Sequence, residues 1–387
     1  MTELGPDVRV INGNYAAAEA VRLVDVDVIA AYPITPQTPI VEYLSEFIAN
    51  GELDAEFIHV ESEHSAISAV VGASATGVRV FTATASQGLA LMHEVLFIAS
   101  GLRLPIVMAV VNRALSAPIN IWCDHSDTVA QRDACWIQLY CESNQEILDT
   151  IIQAYRIAEH EDVLLPVMVC FDGFTLSHTL EPVAIPDEER VREFVGEFEP
   201  VHCRLDPEEP MTIGPVGGPD CYMEFKKMQH EAMERAREVI GEVNREFSDA
   251  FGRSYGDGLV EEYNTEDADY IVIAMGSVCG TVKHVIDEER PDVGLVRVKA
   301  YRPFPGDRIA EIIQDREGVV TIDRTHSYGA MPPLWTDVKA HAPDVEVSST
   351  IAGLGGRDVR PEDVLRAIKV AEEGKGTDEP VWINVNV

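Results

Sequence analysis

Short continuous apolar runs alternate with longer stretches of helical spacing, and the alternation repeats along the chain. Up to residue 180, the runs at 27–31, 57–60, 78–83, 104–111 and 164–171 predict strands, the longest of the kind parallel sheets bury on both faces. Residues 16–24, 40–49, 88–100 and 144–159 predict helices, and residues 136–142 continue the pattern. Behind Glu63, Ala66, Ala69, Val70, Ala73 and Ala75 form a helix of mostly small residues, against which another backbone can pack closely. Four or five strands alternating with helices predict a doubly wound α/β domain over residues 1–180.

From residue 181 to 267 the pattern changes. Seven prolines between Pro182 and Pro219, with Gly214, Gly217 and Gly218, predict an irregular crossing arm. A long helix follows over 223–251, with Phe225, Met228, Ala232, Ala236, Val239, Ile240 and Val243 at helical spacing. That face is expected to pack on the first domain or on a partner subunit. From 268 to 387 the strand and helix alternation returns as a second, smaller α/β domain. Strands are expected at 270–275, 294–298, 318–323 and 382–387, and helices at 282–289 and 308–314. Two glycine-bearing loops belong to this part: Gly276-Ser277-Val278-Cys279-Gly280, whose free amides could bind an anion, and Gly353-Leu354-Gly355-Gly356-Arg357-Asp358.

Length and composition narrow the function classes. A chain of 387 residues with 46% hydrophobic content supports two or three packed domains. The formal charge of −36, from 66 acids against 30 bases, argues against nucleic acid as a partner. No apolar run reaches a membrane span, about 20 residues, and the opening residues lack a basic region followed by an apolar one. No secretory signal and no membrane contact are therefore expected, and the default location is cytoplasmic. The seven cysteines (Cys123, Cys135, Cys141, Cys170, Cys203, Cys221 and Cys279) include no C-x-x-C pair. Their odd number and wide scatter predict reduced thiols, with no iron–sulfur cluster or structural zinc held by this chain alone.

Candidate chemistry gathers at strand ends. Tyr32-Pro33-Ile34-Thr35-Pro36-Gln37-Thr38-Pro39 has three prolines in seven residues, a stiff loop that either feeds a helix or fixes the Thr35 hydroxyl. Glu63 falls where a strand gives way to a helix. By position alone it is a first-turn acid favoured by the helix dipole, or a carboxylate at the mouth of a crossover, where such folds put their chemistry. Arg113 follows an apolar strand and is either a surface cation or a carboxylate clamp. Asp124, His125 and Asp127 share one loop, too weak a signal for a metal site, and no metal is expected. There is no G-x-G-x-x-G after the first strand and no Walker lysine loop, so nicotinamide or P-loop chemistry has little support.

Four motifs in order carry a resemblance: Tyr32-Pro33-Ile34-Thr35-Pro36, Glu61-Ser62-Glu63-His64-Ser65-Ala66, Thr84-Ala85-Ser86-Gln87-Gly88, and Asn112-Arg113-Ala114-Leu115-Ser116-Ala117-Pro118 with Asp124-His125-Ser126-Asp127. Together they resemble the alpha subunit of the pyruvate:ferredoxin oxidoreductases, members of the thiamine diphosphate-dependent 2-oxoacid:ferredoxin oxidoreductases. The resemblance implies a thiamine-pyrimidine-binding first domain and a transketolase-C-terminal-like second one. It implies that Glu63 hydrogen-bonds N1′ of the aminopyrimidine, which lets the 4′ nitrogen take the proton from thiazolium C2. It further implies that Arg113 holds the substrate carboxylate, that Thr35 binds near the substrate carbonyl, and that Pro33, Ser86 and Gln87 line the cofactor.

The implied reaction oxidises pyruvate with coenzyme A to acetyl-CoA and CO2 and reduces ferredoxin. No G-D-G diphosphate motif with its downstream Asn is assigned in this chain, whose Gly256-Asp257-Gly258 falls in the crossing arm, and there is no cysteine array. The resemblance therefore puts the diphosphate and magnesium on a beta subunit, the [4Fe-4S] clusters on partner subunits including delta, and the remainder of the assembly on gamma. The alternatives are a relative using a branched-chain, aryl or 2-oxoglutarate substrate, and a non-catalytic scaffold. The presence of both Glu63 and Arg113 speaks against the scaffold.

Overall fold

The computed structural model describes residues 7–200 and 204–386. Cys203 and Val387, and the first six residues of the first domain, lie outside the described residues. The first unit runs β1 (Asp7–Ile11), α1 (Gly13–Val24), β2 (Val28–Ala30), α2 (Thr38–Asn50), β3 (Glu56–Ile58), α3 (Glu63–Ser74), β4 (Val80–Thr84), α4 (Ser86–Leu91) and α5 (His93–Gly101). It continues with β5 (Val107–Asn112), α6 (Ser126–Val129), β6 (Ile137–Tyr140), α7 (Asn144–Glu159) and β7 (Val167–Asp172). Next come β8 (Glu181–Ile185), α8 (Glu188–Val195) and the 30-residue α9 (Tyr222–Phe251). The second unit comprises β9 (Val260–Tyr263), β10 (Tyr270–Ala274), α10 (Val278–Glu288), β11 (Val293–Val298), β12 (Ala300–Arg302) and α11 (Gly306–Ile313). It ends with β13 (Gly318–Asp323), α12 (Pro333–His341), β14 (Val347–Ile351), α13 (Pro361–Glu372) and β15 (Val381–Trp382).

Local chemistry explains where these elements begin and end. Asn12 caps α1 by accepting a hydrogen bond from the Tyr15 N–H, and Ser62 caps α3 by accepting from Ser65. The expected strands 104–111 and 164–171 start late, at Val107 and Val167. Pro105 and Pro166 lack an N–H for the ladder and end the preceding turns. The expected helix 88–100 is two helices that meet at Met92. The proline-rich arm contains β8 and α8, and α12, β14 and α13 come after the last helix that apolar spacing marks. β14 escaped because its centre is Ser348-Ser349-Thr350, buried but polar.

The first sheet has the order β12-β6-β7-β5-β4-β2-β3, parallel except that β12 joins β6 antiparallel. The second has the order β15-β14-β13-β10-β11-β9, parallel except for β9 at its edge. β1 and β8 form a separate antiparallel ribbon. One face of the first sheet buries α1, α7 and the Ala232, Ala236, Val239, Val243 and Phe247 stripe of α9. The long helix therefore packs on the first unit. The other face packs on α3 and α5 and is continuous with the second unit through Val296, Val298, Tyr301 and Phe304.

Between the units lies a buried ion network. Arg297 and Lys299 both reach Glu146, and Lys283 bridges Glu142 and Glu261. The six described cysteines are free thiols. Among the described residues no helix is long and apolar enough to cross a membrane.

Candidate functional site

The site is built at the carboxyl ends of the parallel strands. Strand order reverses between β2 and β4: the chain leaves β2 for β3 on one side and returns to β4 on the other. A crevice at such a reversal is where open α/β sheets bind ligands. The loop after β2 carries Pro33 and Thr35, the turn after β3 carries Glu63, the turn after β4 carries Ser86 and Gln87, and β5 delivers Arg113.

Glu63 is the first residue of α3 and is only 8% exposed. Its carboxylate has no hydrogen bond or ion pair among the described residues. Gly88 lies directly against it: a Cβ there would meet Glu63 Oε1 at 2.7 Å and Thr84 Oγ1 at 2.5 Å. Any side chain at 88 would therefore displace the acid. The Thr84 hydroxyl and Gln87 Nε2 are also buried without a partner among the described residues. A buried carboxylate costs free energy unless something satisfies it. Glu63 Oε1 and Thr84 Oγ1 both lie against Gly88, so a carboxylate and a hydroxyl without partners among the described residues share this spot.

The Ser86 side chain turns inward. Its hydroxyl is fully buried, 2.6 Å from the Ala114 carbonyl and 2.6 Å from Gln87 Oε1. It ties the β4 turn to the segment after Arg113 and sets the Gln87 amide. Pro33 and the Thr35 side chain are exposed.

Arg113 is 7% exposed, and its guanidinium is anchored twice: Nε donates to the Asn120 carbonyl at 2.7 Å, and Nη1 donates to the Thr35 carbonyl at 2.9 Å. Burial lowers its pKa, with the Asp127 carboxylate opposing; an arginine in this setting stays charged. The outer edge of the guanidinium has no further partner among the described residues. Thr35 and Arg113, far apart in sequence, are thus adjacent.

Asp127 is the residue that sequence reasoning undervalued. Its Oδ2 accepts from the backbone N–H groups of Ser86 and Arg113, each at 3.0 Å, and its Oδ1 accepts from Asn112 Nδ2 at 2.8 Å. One buried carboxylate therefore orients both strand-end turns. Burial pushes its pKa up to about 6, against those hydrogen bonds. Its partners are mostly backbone amides, which no sequence motif displays.

The Asp124, His125 and Asp127 loop does not converge on a metal. His125 Nε2 meets Asp172 Oδ1 at 2.8 Å, and Asp124 Oδ2 accepts from the Gly355 N–H at 3.1 Å. Cys123, His125 and Asp172 do bring their ligand atoms within 4.8 Å of one another. However, the Arg324 guanidinium and the Ser277 hydroxyl and N–H already occupy Asp172 Oδ2. Burial holds the Cys123 thiol well above its ordinary pKa. The arrangement suits an ion pair between the units better than a cation.

The chain is similar to known proteins along nearly its whole length. The family described as pyruvate flavodoxin/ferredoxin oxidoreductase, thiamine diphosphate-binding, matches residues 19–245, and the pyruvate:ferredoxin oxidoreductase core domain II matches residues 268–364. The pyruvate synthase subunit PorA of Methanocaldococcus jannaschii is 60% identical over 383 residues, covering 98% of each chain. The ketoisovalerate oxidoreductase subunit VorA of Pyrococcus abyssi is 45% identical over the full length of both. In fold, the chain is similar to a 2-oxoglutarate:ferredoxin oxidoreductase from Magnetococcus marinus, with TM-score 0.70 and 21% identity over 96% of this chain and 66% of that one. With both family regions in order and a 60% identical relative along nearly its whole length, this chain belongs to the pyruvate flavodoxin/ferredoxin oxidoreductase family.

Proposed function

We propose that the chain is the alpha-type subunit of a pyruvate:ferredoxin oxidoreductase. It would bind the pyrimidine end of thiamine diphosphate and the carboxylate of pyruvate. The observation that carries this reading is the buried, unpartnered Glu63 carboxylate against the side-chain-free Gly88. The residues present fit the cofactor: an acid for a ring nitrogen, with an unpartnered buried amide at Gln87 and an unpartnered buried hydroxyl at Thr84. When bound, thiamine diphosphate supplies a carbon nucleophile that attacks the keto carbon and accepts the electrons left by loss of CO2.

The chain's own residues do the rest. Glu63 holds a proton on N1′ of the pyrimidine, shielded from water so that the hydrogen bond keeps its strength. Gly88 leaves the space, and Ser86 sets Gln87 to face the ring, with Pro33 bordering the same crevice. Arg113, braced by the Asn120 and Thr35 carbonyls, keeps its outer edge free to grip a carboxylate in a bidentate fork. The Thr35 hydroxyl, exposed beside it, reaches the substrate near its carbonyl.

Diphosphate and magnesium would be held by a beta subunit and the [4Fe-4S] clusters by partner subunits including delta, with gamma completing the assembly and ferredoxin as the electron acceptor. Coenzyme A would take the acetyl group in the assembled enzyme. The one G-D-G, Gly256-Asp257-Gly258, is a turn before β9 whose Asp257 carboxylate accepts from the Leu259 and Val260 N–H groups, and the sequence has no cysteine array; both support this division. Pyruvate is favoured over a branched-chain substrate by the higher identity to the pyruvate synthase subunit than to the ketoisovalerate one.

The test is to assay the chain alone and in its native complex with a panel of 2-oxoacids and an artificial electron acceptor. Turnover is expected only in the complex, with pyruvate preferred. Activity of the isolated chain would overturn the division of labour, and preference for a branched-chain acid would overturn the substrate.

A further inference from the structure

Arg113 does not hold its own position. Its Nε anchor is the carbonyl of Asn120, in a loop whose residues 116–119 are mostly exposed and lack regular structure. What steadies Asn120 comes from the second unit. Its Nδ2 donates to the Gly355 carbonyl at 3.1 Å, while its Oδ1 accepts from the Trp122 N–H at 2.6 Å. Two more bonds dock the same loop: Gly355 N–H to Asp124 Oδ2 at 3.1 Å and Gly356 N–H to the Cys123 carbonyl at 2.6 Å.

The glycines are required where they stand. Gly355 and Gly356 have φ of +59° and +78°, a region that L side chains rarely adopt. A Cβ at Gly355 would meet Asn120 Nδ2 at 2.5 Å, and one at Gly356 would meet Trp122 Cβ at 2.2 Å. The Trp122 ring is in turn packed on Phe174, with centroids 4.4 Å apart. The glycine loop of the second unit is therefore shaped to the back of the loop that braces Arg113.

We infer that Asn120 is a positioning residue for substrate binding, and that the Gly355–Gly356 backbone of the second unit, acting through Asn120, fixes the orientation of the Arg113 guanidinium. The inference rests on the reading of Arg113 as the carboxylate clamp. It gives the second unit a part in substrate recognition that its distance in sequence conceals. A guanidinium that must meet a carboxylate edge-on loses its bidentate match with a small rotation. A carbonyl fixed from behind prevents that rotation.

The test is a double-variant cycle in the assembled enzyme, reading KM for pyruvate, kcat and thiamine diphosphate affinity. Asn120→Ala is expected to raise KM about tenfold, roughly what one well-placed hydrogen bond is worth, with cofactor affinity unchanged. In an Arg113→Ala background, Asn120→Ala is expected to change KM less than twofold, because a residue that acts through another has nothing left to position. Gly355→Ala should reproduce the KM pattern by crowding Asn120.

If Arg113→Ala raises KM but Asn120→Ala does not, the inference fails and the clamp stands. If the two changes multiply, Asn120 acts elsewhere and the inference fails. If Arg113→Ala leaves KM unchanged, the clamp reading fails and takes the inference with it. The coupling is a ratio of KM values, so it stays decisive even if one variant loses stability.

Discussion

Glu63 and Glu146 occupy equivalent places and are wired in opposite ways. Both are buried acids in the first turn of a helix that belongs to the first unit, and both gain from the helix dipole. Glu146 is 1% exposed and saturated: it accepts from the Glu142 N–H at 2.7 Å, from Arg297 Nη2 at 2.5 Å and from Lys299 Nζ at 2.6 Å. Burial raises its pKa, but Arg297 and Lys299 outweigh that and hold it at about 2. Glu63 has no such company. A carboxylate with its lone pairs answered from within the chain is part of the scaffold, whereas one buried without a partner is the group we propose for the cofactor.

The largest expected effect breaks the open side of this contrast. Glu63→Gln in the complex should lower pyruvate turnover by about 10²- to 10⁴-fold, the usual weight of a proton-transfer group. The urea midpoint should stay the same, because no protein contact is lost. A parallel loss of stability would show that Glu63 is structural. The saturated side should respond in reverse. Glu146→Ala leaves Arg297 and Lys299 buried without their shared counter-charge and should cost about 3–5 kcal/mol in urea unfolding, with KM retained in the folded fraction. An unchanged midpoint would mean that the cations relax outward.

Asp127 sharpens the comparison through pH. Its folded pKa of about 6 lies above the ordinary 3.8, so its stabilising share is full below 3.8 and is lost as pH rises through about 6. Glu146, depressed below its ordinary value, behaves oppositely: its share is present above the unfolded pKa and is lost as pH falls toward 2. Relative to Asp127→Asn, the native chain should lose up to roughly 3 kcal/mol between pH 4 and pH 6, measured as the difference in urea stability. A flat difference would refute the buried titration. The smallest effect belongs to Thr35→Val: about a fivefold rise in KM for pyruvate, the scale of one neutral hydrogen bond. No change would remove the hydroxyl from the proposed substrate contacts.

Much of the fold was legible because parallel strands announce themselves. Val107 to Val111 is apolar throughout, and every residue of β5 is buried. The stripe on α9 was equally plain, although periodicity could not say which surface it would cover. What stayed hidden depends on partners distant in sequence. β12 is three residues long, and nothing in Ala300-Tyr301-Arg302 names Leu139 as its neighbour.

The site divides in the same way. Glu63, Thr35 and Arg113 stood out as polar residues at the ends of apolar strands. Asp127 stood out only as one acid of a loop and Asn120 not at all, because their partners include backbone amides and carbonyls that every residue possesses. Ser86 was visible as part of a motif, but its inward turn follows from a φ of +47° that its letter does not specify.

The pairing of Ala300 with Leu139 and of Arg302 with Gln138 makes a strand of the second unit the edge of the first sheet. Cutting the gene at the start of the second family region would strip β6 of its outer neighbour and leave a bare ladder of amides and carbonyls, an invitation to fibrils and precipitates. Neither half can be lifted out as a cassette. Anyone grafting a new substrate loop onto this scaffold must carry both halves along.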